Sequence, residues 1–377
     1  MVEPLLITEA PTLASLAGRL AGRHRIALDT EAASFHRYVD RVYLVQVSSD
    51  DETAIVDPLA VQDLHPIGRL LADPAIEVIF HDADYDLRIL DRDYGFRAAN
   101  VWDTRIAAQL AGEKSFGLGA MLEQHFGIRL SKALQRADWS RRPLTDEMIA
   151  YAAADTAHLP ALRDRLEEQL KAAGRLHWAE EEFHYLEAVR WTGTHDDDQG
   201  WLKLKGARQL RNQALAVLRA VWRWRERTAG DRDRAPFRVL GNDGVVNIAR
   251  AMPRTLNELT AVPGVASSIV QRHGTDIMDA VYAALALPRE QWPVIERKRG
   301  ARPDATAEER FQRLRQLRAR RAEALELDAG LVCPNATLMA IARQHPASPE
   351  DLDAIPDLRR WQREALGEDA ILTAVDG

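Results

Sequence analysis

Cysteine is almost absent from this 377-residue sequence, which holds one, Cys333. A single thiol excludes an intrachain disulfide and a cysteine-built zinc site, and it fits a reducing compartment. Long apolar runs are absent as well; none approaches the roughly 18 residues that would cross a bilayer. Met1-Val2-Glu3-Pro4 has neither the basic region nor the apolar stretch of a secretory signal, so a cytoplasmic protein without a membrane partner is expected. Positive charge is in deficit: 50 Lys and Arg stand against 57 Asp and Glu, a net charge of −7. Alone, that balance speaks against a nucleic-acid partner. It does not exclude one, because carboxylates gathered in a catalytic site attract cations and, once metal is bound, do not repel the substrate. Charge is also segregated: between Lys203 and Arg227 eight basic residues face only Glu226. A solvated helix face accounts for that stretch equally well.

What is present describes soluble globular material, 46% hydrophobic and 28% charged, with room for two or three domains. The first part alternates strand and helix patterns. Arg25-Ile26-Ala27-Leu28-Asp29, Val42 to Val47, Thr53 to Val56 and Glu77-Val78-Ile79-Phe80 read as strands. Helical spacing is expected from about Val61 to Leu71 and from Asp84 to Tyr94, and after Trp102 the chain reads as mainly helical. Such an order points to a mixed sheet flanked by helices. The acidic, glycine-bounded stretch Gly193 to Gly200 reads as a linker, and beyond it no strand-like alternation occurs. The second part repeats itself: Ile248-Ala249-Arg250 recurs as Ile341-Ala342-Arg343. In the same register Asn242 meets Asn335, Pro253 meets Pro346, Leu259 meets Leu352 and Pro263 meets Pro356, so two copies of a small helical domain are expected.

Three acidic signals carry chemistry. Asp29-Thr30-Glu31 ends an apolar strand, where residues two apart point the same way. Adjacent carboxylates repel unless a cation sits between them, so the pair is a natural half-site for Mg²⁺. Asp50 and Glu52 have the same spacing without the apolar lead and read as a solvated turn. Tyr151 and Asp155 lie one turn apart on one helix face, behind a Thr145 cap with Asp146 and Glu147 in the first turn. A tyrosine in the core and a salt-bridged aspartate would explain that pair as well. Asp82, Asp84 and Asp86 follow the fourth strand and His81; the first two suit helix capping, whereas Asp86 lies inside the helix. His81 has no Cys or His companion at ligand spacing, so a structural or substrate-contacting role is expected of it rather than zinc ligation.

In this order, Asp29-x-Glu31, then His81 and Asp86, then Tyr151-x3-Asp155, the chain resembles the tyrosine subgroup of the DEDD exonucleases. Further segments resemble the ribonuclease D family: Ser34 to Tyr38, Arg41 to Gln46, Trp102 to Ala107, Ser115 to Leu118, and Asp138-Trp139-Ser140 with Arg142-Pro143-Leu144. The second part is similar to the HRDC domain that follows the nuclease in that family. The second copy departs from it, with Asp357 where the first copy has Gly264, which favours packing over nucleic-acid contact there. The resemblance implies an α/β ribonuclease H-like exonuclease domain, a mixed sheet flanked by helices, followed by two all-α HRDC-like domains. The boundaries expected are 1–192 for the nuclease, 204–286 and 307–377 for the helical copies, with linkers at 193–203 and 287–306.

The resemblance also implies a 3′→5′ exoribonuclease that uses two divalent cations, Mg²⁺ or Mn²⁺, to release nucleoside 5′-monophosphates. Asp29 is expected to bridge both ions, Glu31 and Asp155 to complete the first site, and Asp86 to serve the second. Tyr151, whose ordinary pKa is near 10, is expected to orient the attacking water rather than to deprotonate it. Phe35, His36 and Tyr38, together with His81, Trp139, Arg141 and Arg142, are the candidates for substrate contact. Expected partners are RNAs with a free 3′ end, tRNA precursors among them, met by a monomer. A DNA exonuclease keeps the fold and changes the polymer; a catalytically silent RNA-binding scaffold requires a lost carboxylate, and none is lost.

Overall fold

The computed structural model describes residues 3–193, 198–295 and 304–377. Six strands form one sheet: β1 (Leu5–Ile7), β2 (Arg25–Ala32), β3 (Val42–Ser48), β4 (Thr53–Val56), β5 (Glu77–Phe80) and β6 (Val101–Asp103), in the order β1-β4-β3-β2-β5-β6. β3 runs antiparallel to both β2 and β4, while β2 with β5, β5 with β6 and β1 with β4 are parallel. The sheet is therefore mixed, as the strand spacing requires: a short return joins β3 to β4, and helices make the crossovers. β1 and β6 escape sequence pattern because three residues are too few to show alternation.

The helices of this part are α1 (Ala10–Leu20), α2 (His65–Ala72), α3 (Asp84–Tyr94), α4 (Thr104–Ala111), α5 (Leu118–Phe126), α6 (Asp146–Ala157), α7 (Leu159–Ala172) and α8 (Leu176–Glu187). α2 begins at His65 rather than near Val61. Residues 57–61 fold back on the Asp57 carbonyl instead, and Pro66 supplies the fixed φ that opens the helix. Strand residues alternate between two cores. Ile26, Leu28, Val45, Val47, Val56, Val78 and Phe80 meet α1, α2 and α3 on one face. On the other face Ala27 and Ile79 meet α4, α7 and α8, and Leu44 and Ile55 meet α6.

After the turn at Gly200–Lys203, whose Trp201 is buried, every regular element among the described residues is helical. The first copy comprises α9 (Gln213–Asp231), α10 (Pro236–Val239), α11 (Asn242–Ala251), α12 (Leu256–Thr260) and α13 (Ser267–Leu285). The second comprises α14 (Ala305–Leu325), α15 (Ala329–Val332), α16 (Asn335–Gln344), α17 (Arg360–Leu366) and α18 (Glu368–Asp376). The repeat persists in three dimensions. Arg225 donates to the Leu240 carbonyl and Asn242 Oδ1; Arg318 donates to the Cys333 carbonyl and Asn335 Oδ1. Gly264 has φ of 85° and Asp357 holds the same left-handed position at 59°, one of the few conformations an aspartate shares with glycine. In the first copy the Gly264 carbonyl lies only 2.8 Å from where a Cβ on Gly244 would stand; the second copy has Thr337 there.

Both copies pack on the α/β unit. Trp361 stacks on Trp178 of α8 at 5.4 Å, with its indole N–H donating to Glu182, while Glu181 accepts from the first N–H groups of α17. Arg175 donates to the Leu325 carbonyl. The first copy holds the loop after β2: Asp233 accepts from the Tyr38 amide and from Arg37, and the Ala235 amide donates to the His36 carbonyl. Of the sequence-read Gly193–Gly200 linker, 194–197 lie outside the described residues, as do 296–303 of the second linker. Leu287, Trp292 and Ile295 pack on the first copy's core.

Candidate active site

β2 is the central strand that builds the site. Asp29 and Glu31 leave it on the face covered by α6, and Asp155 reaches them from that helix. One oxygen from each of the three lies within 4.8 Å of the others. α6 takes this position because Thr145 caps it, its Oγ1 accepting from the Met148 amide, and because Ala152 and Ala153 let the helix approach the sheet closely. Asp86 arrives differently. It stands in the first turn of α3, on the opposite face of the sheet, 6% exposed, and accepts a hydrogen bond from Thr30, the residue between the pair. It is outside the three-carboxylate cluster, yet close enough for Asp29 to raise its pKa.

Burial and mutual repulsion dominate the electrostatics. Burial, then the charge of Asp155, push Asp29 up to about 8. Burial alone pushes Asp155 up to about 7, and Glu31 rises through burial and then through Asp29, Asp155 and Asp86. No lysine or arginine pairs with any of these four among the described residues. An all-oxygen donor set that opposes its own ionisation fits a hard divalent cation, which removes the repulsion and lets every member ionise.

Asp29, Glu31 and Asp155 line a cleft of about 460 Å³ together with His81, Tyr151, the opening turn of α5 (Gly117 to Ala120) and the loop residues Leu130, Ser131, Lys132 and Gln135; Asp86 lies behind it. The tyrosine ring packs on Trp139 at 5.9 Å. Burial, then the charges of Asp155, Glu31 and Asp29, raise its hydroxyl well above the ordinary value, so it is a protonated donor at neutral pH. His81 is neutral: burial, then Arg105, lower it to about 4. Its tautomer follows from its partner. Thr104 Oγ1 gives its hydrogen to the Phe80 carbonyl, so His81 Nδ1, 2.8 Å from that oxygen, must be the donor. Nε2 is left as an acceptor.

Other sequence candidates lie elsewhere. Trp139 is 1% exposed between the sheet and α6, so it supports Tyr151 from beneath and presents no face to a nucleic-acid base. Arg142 is a clamp within the fold: it donates twice to Asp57 and also to the Tyr43 and Trp139 carbonyls. Both are corrected from substrate contact to framework, because packing covers the Trp139 ring and hydrogen bonds occupy the Arg142 guanidinium. Phe35, His36 and Tyr38 do not line the cleft. Phe35 lies under Arg136 and edge-on to Phe237; the His36 ring bonds the Arg136 carbonyl. Arg141 is exposed, with one long contact to Asp138. Lys132 and Gln135 had no sequence signal beyond an irregular, cation-bearing segment between two helices.

The 3′-5′ exonuclease family model matches residues 5–171, and the HRDC domain model matches 214–281 and 307–375. Ribonuclease D of Gluconacetobacter diazotrophicus is 33% identical over 100% of this chain and 95% of its own length. The chain belongs to the ribonuclease D family. It is a metal-dependent 3′→5′ exoribonuclease. Ribonuclease D of Escherichia coli K12 is 32% identical over 76% of each chain. The crystal structure of Escherichia coli ribonuclease D superposes with a TM-score of 0.73 at 28% identity, covering 99% of this chain and 98% of that one. A Bifidobacterium adolescentis protein of solved structure gives 0.83 at 25% identity, covering 100% and 97%.

Proposed function

We propose that the enzyme removes nucleoside 5′-monophosphates one at a time from the free 3′ ends of structured RNAs, tRNA precursors among them, as a cytoplasmic monomer using two Mg²⁺ or Mn²⁺ ions. The observation that carries this reading is the convergence of Asp29, Glu31 and Asp155 within 4.8 Å, beside Tyr151 and His81 in one cleft. Escherichia coli ribonuclease D, similar along nearly its whole length, is described as an exoribonuclease involved in structured RNA processing.

Asp29 would touch both ions, Glu31 and Asp155 the first, and Asp86 the second. Bound there, divalent cations supply the charge that activates water and stabilises the departing 3′-oxygen. The Tyr151 hydroxyl, held protonated, donates or accepts to set the angle of the attacking water. His81 Nε2 accepts from a ribose hydroxyl of the terminal nucleotide, a contact that favours RNA. Lys132 and the N-terminal turn of α5, which line the same cleft, receive the phosphodiester that follows. Phe35 and Tyr38, both partly exposed, together with His36 and Arg141, line the approach from outside.

The test is digestion of end-labelled RNA and DNA of equal length, and of a tRNA-like 3′ end, with products resolved to the nucleotide. Ladders of single-nucleotide steps on RNA that stop with EDTA are expected. Equal rates for the wild type and Asp155→Ala would overturn the site, and faster digestion of DNA would overturn the polymer.

A further inference from the structure

Gln46 sits in the middle of β3 with 0% exposure, and neither Nε2 nor Oε1 has a hydrogen-bond partner. A primary amide in that state is unfavourable for the fold, and an apolar side chain of the same length would fill the space better. Its position explains what the amide is for. In the antiparallel pairing of β2 and β3, Gln46 stands directly opposite Asp29. Directly opposed residues project from the same face, with Cβ atoms about 5 Å apart. The flanking residues confirm the direction. Ser48, two along, bonds Thr156 of α6, and Leu44, two back, packs in the layer beneath α6 with Ala152. Gln46 therefore lies in the floor of the site, under the helix that carries Tyr151 and Asp155. Asp29, for its part, takes a hydrogen bond from the Thr30 backbone and from no side chain. An idle donor and an under-filled acceptor face each other across one strand pair.

We propose that Gln46 is a positioning residue of the metal site, whose side-chain N–H donates to the outer oxygen of Asp29 when a divalent cation holds that carboxylate. This rests on the reading of Asp29 as a metal ligand. The amide spans the gap between the strands, and a hydrogen bond from it fixes the rotation of the Asp29 carboxylate that both ions share. The polar group is kept at the expense of packing because it acts in the loaded state.

The experiment uses the full chain and Mn²⁺ or Mg²⁺ alone. In Gln46→Met the Mn²⁺ dissociation constant, read by calorimetry, rises 10–100-fold, the range in which ligand-orienting partners act. The metal-free melting temperature stays equal to or above that of the wild type, because an unpartnered amide has been replaced by an apolar chain. Unchanged Mn²⁺ affinity, whichever way the melting temperature moves, overturns the proposal. A measurement on the wild type keeps it falsifiable if the variant does not fold. On adding Mg²⁺, the side-chain amide protons of Gln46 shift downfield in the NMR spectrum and exchange more slowly; no change overturns the proposal. Asp29→Asn separates the two claims. If it binds Mn²⁺ as tightly as the wild type, the reading of the metal site falls and this inference with it. If it loses binding while Gln46→Met keeps it, the inference alone falls.

Discussion

Asp155→Asn should make the metal-free protein more stable while removing its activity, and the size of the gain can be worked from the site. Asp155 is raised to about 7 and Asp29 to about 8, against an ordinary value of 3.8. Each pKa unit corresponds to about 1.4 kcal/mol. Taken at face value, the Asp155 shift amounts to roughly 4 kcal/mol by that conversion. Partial exposure and coupling within the cluster reduce this to about 1–2 kcal/mol. The sign follows from proton linkage. The folded carboxyls hold protons that the unfolded ones release, so metal-free stability is greatest near pH 4 and falls as pH rises through the folded values toward 8. At pH 8 in EDTA, Asp155→Asn should melt about 2–8 °C above the wild type, given roughly 2–4 °C per kcal/mol for a domain of this size. At pH 5 the difference should be smaller, and it should vanish only below about pH 4, where the unfolded carboxyl is protonated too. Excess Mg²⁺ should reverse the order at pH 8, because only the wild type gains binding energy, about 2.7 kcal/mol at one hundred times the dissociation constant. The assay is thermal unfolding followed by far-ultraviolet circular dichroism at the two pH values, with EDTA or Mg²⁺. If the variant melted below the wild type in EDTA at pH 8, the repulsion argued for the cluster would be absent and the case for a cation site would lose its electrostatic basis.

Other consequences are simpler to read. Tyr151→Phe should lower kcat by roughly 10-fold, the worth of one lost hydrogen bond in the transition state, with little change in RNA affinity; equal losses in both would mark a structural tyrosine. Arg142→Met should destabilise the nuclease by about 3–5 kcal/mol, since it leaves Asp57 buried and unpaired; an unchanged melting temperature with a raised KM for RNA would restore Arg142 as a substrate contact. Trp361→Ala should weaken the seat of the second helical copy on α8 by about 3–5 kcal/mol. Hydrogen exchange in residues 176–187 would report it, and unchanged protection there would mean that the stack contributes nothing.

Much of the nuclease was legible before any coordinates. The strands at 25–29, 42–47, 53–56 and 77–80 announce themselves through β-branched and apolar runs, and the observed elements contain them. Asp29 and Glu31 were readable as a pair because strand periodicity makes residues two apart neighbours. Tyr151 and Asp155 were readable because helix periodicity does the same at four. Periodicity is silent about what lies across an element, and there the sequence misled or said nothing. Trp139 and Arg142 were candidates for substrate contact; the first is a buried support and the second clamps Asp57. Lys132 and Gln135 carried no pattern, since they reach the cleft from an irregular loop.

The sequence by itself determined which residues have the chemistry: the acids, their spacing along strand and helix, and a helical unit written twice. Local periodicity is a property of a few consecutive residues, so it survives in one dimension. The tertiary structure decided which of those residues meet. It set Asp155 over Asp29 from a helix more than a hundred residues away, brought Asp86 from the far face of the sheet, and placed Gln46 opposite Asp29 through strand register. Those juxtapositions come from packing and pairing across the whole domain, which no short stretch of sequence contains.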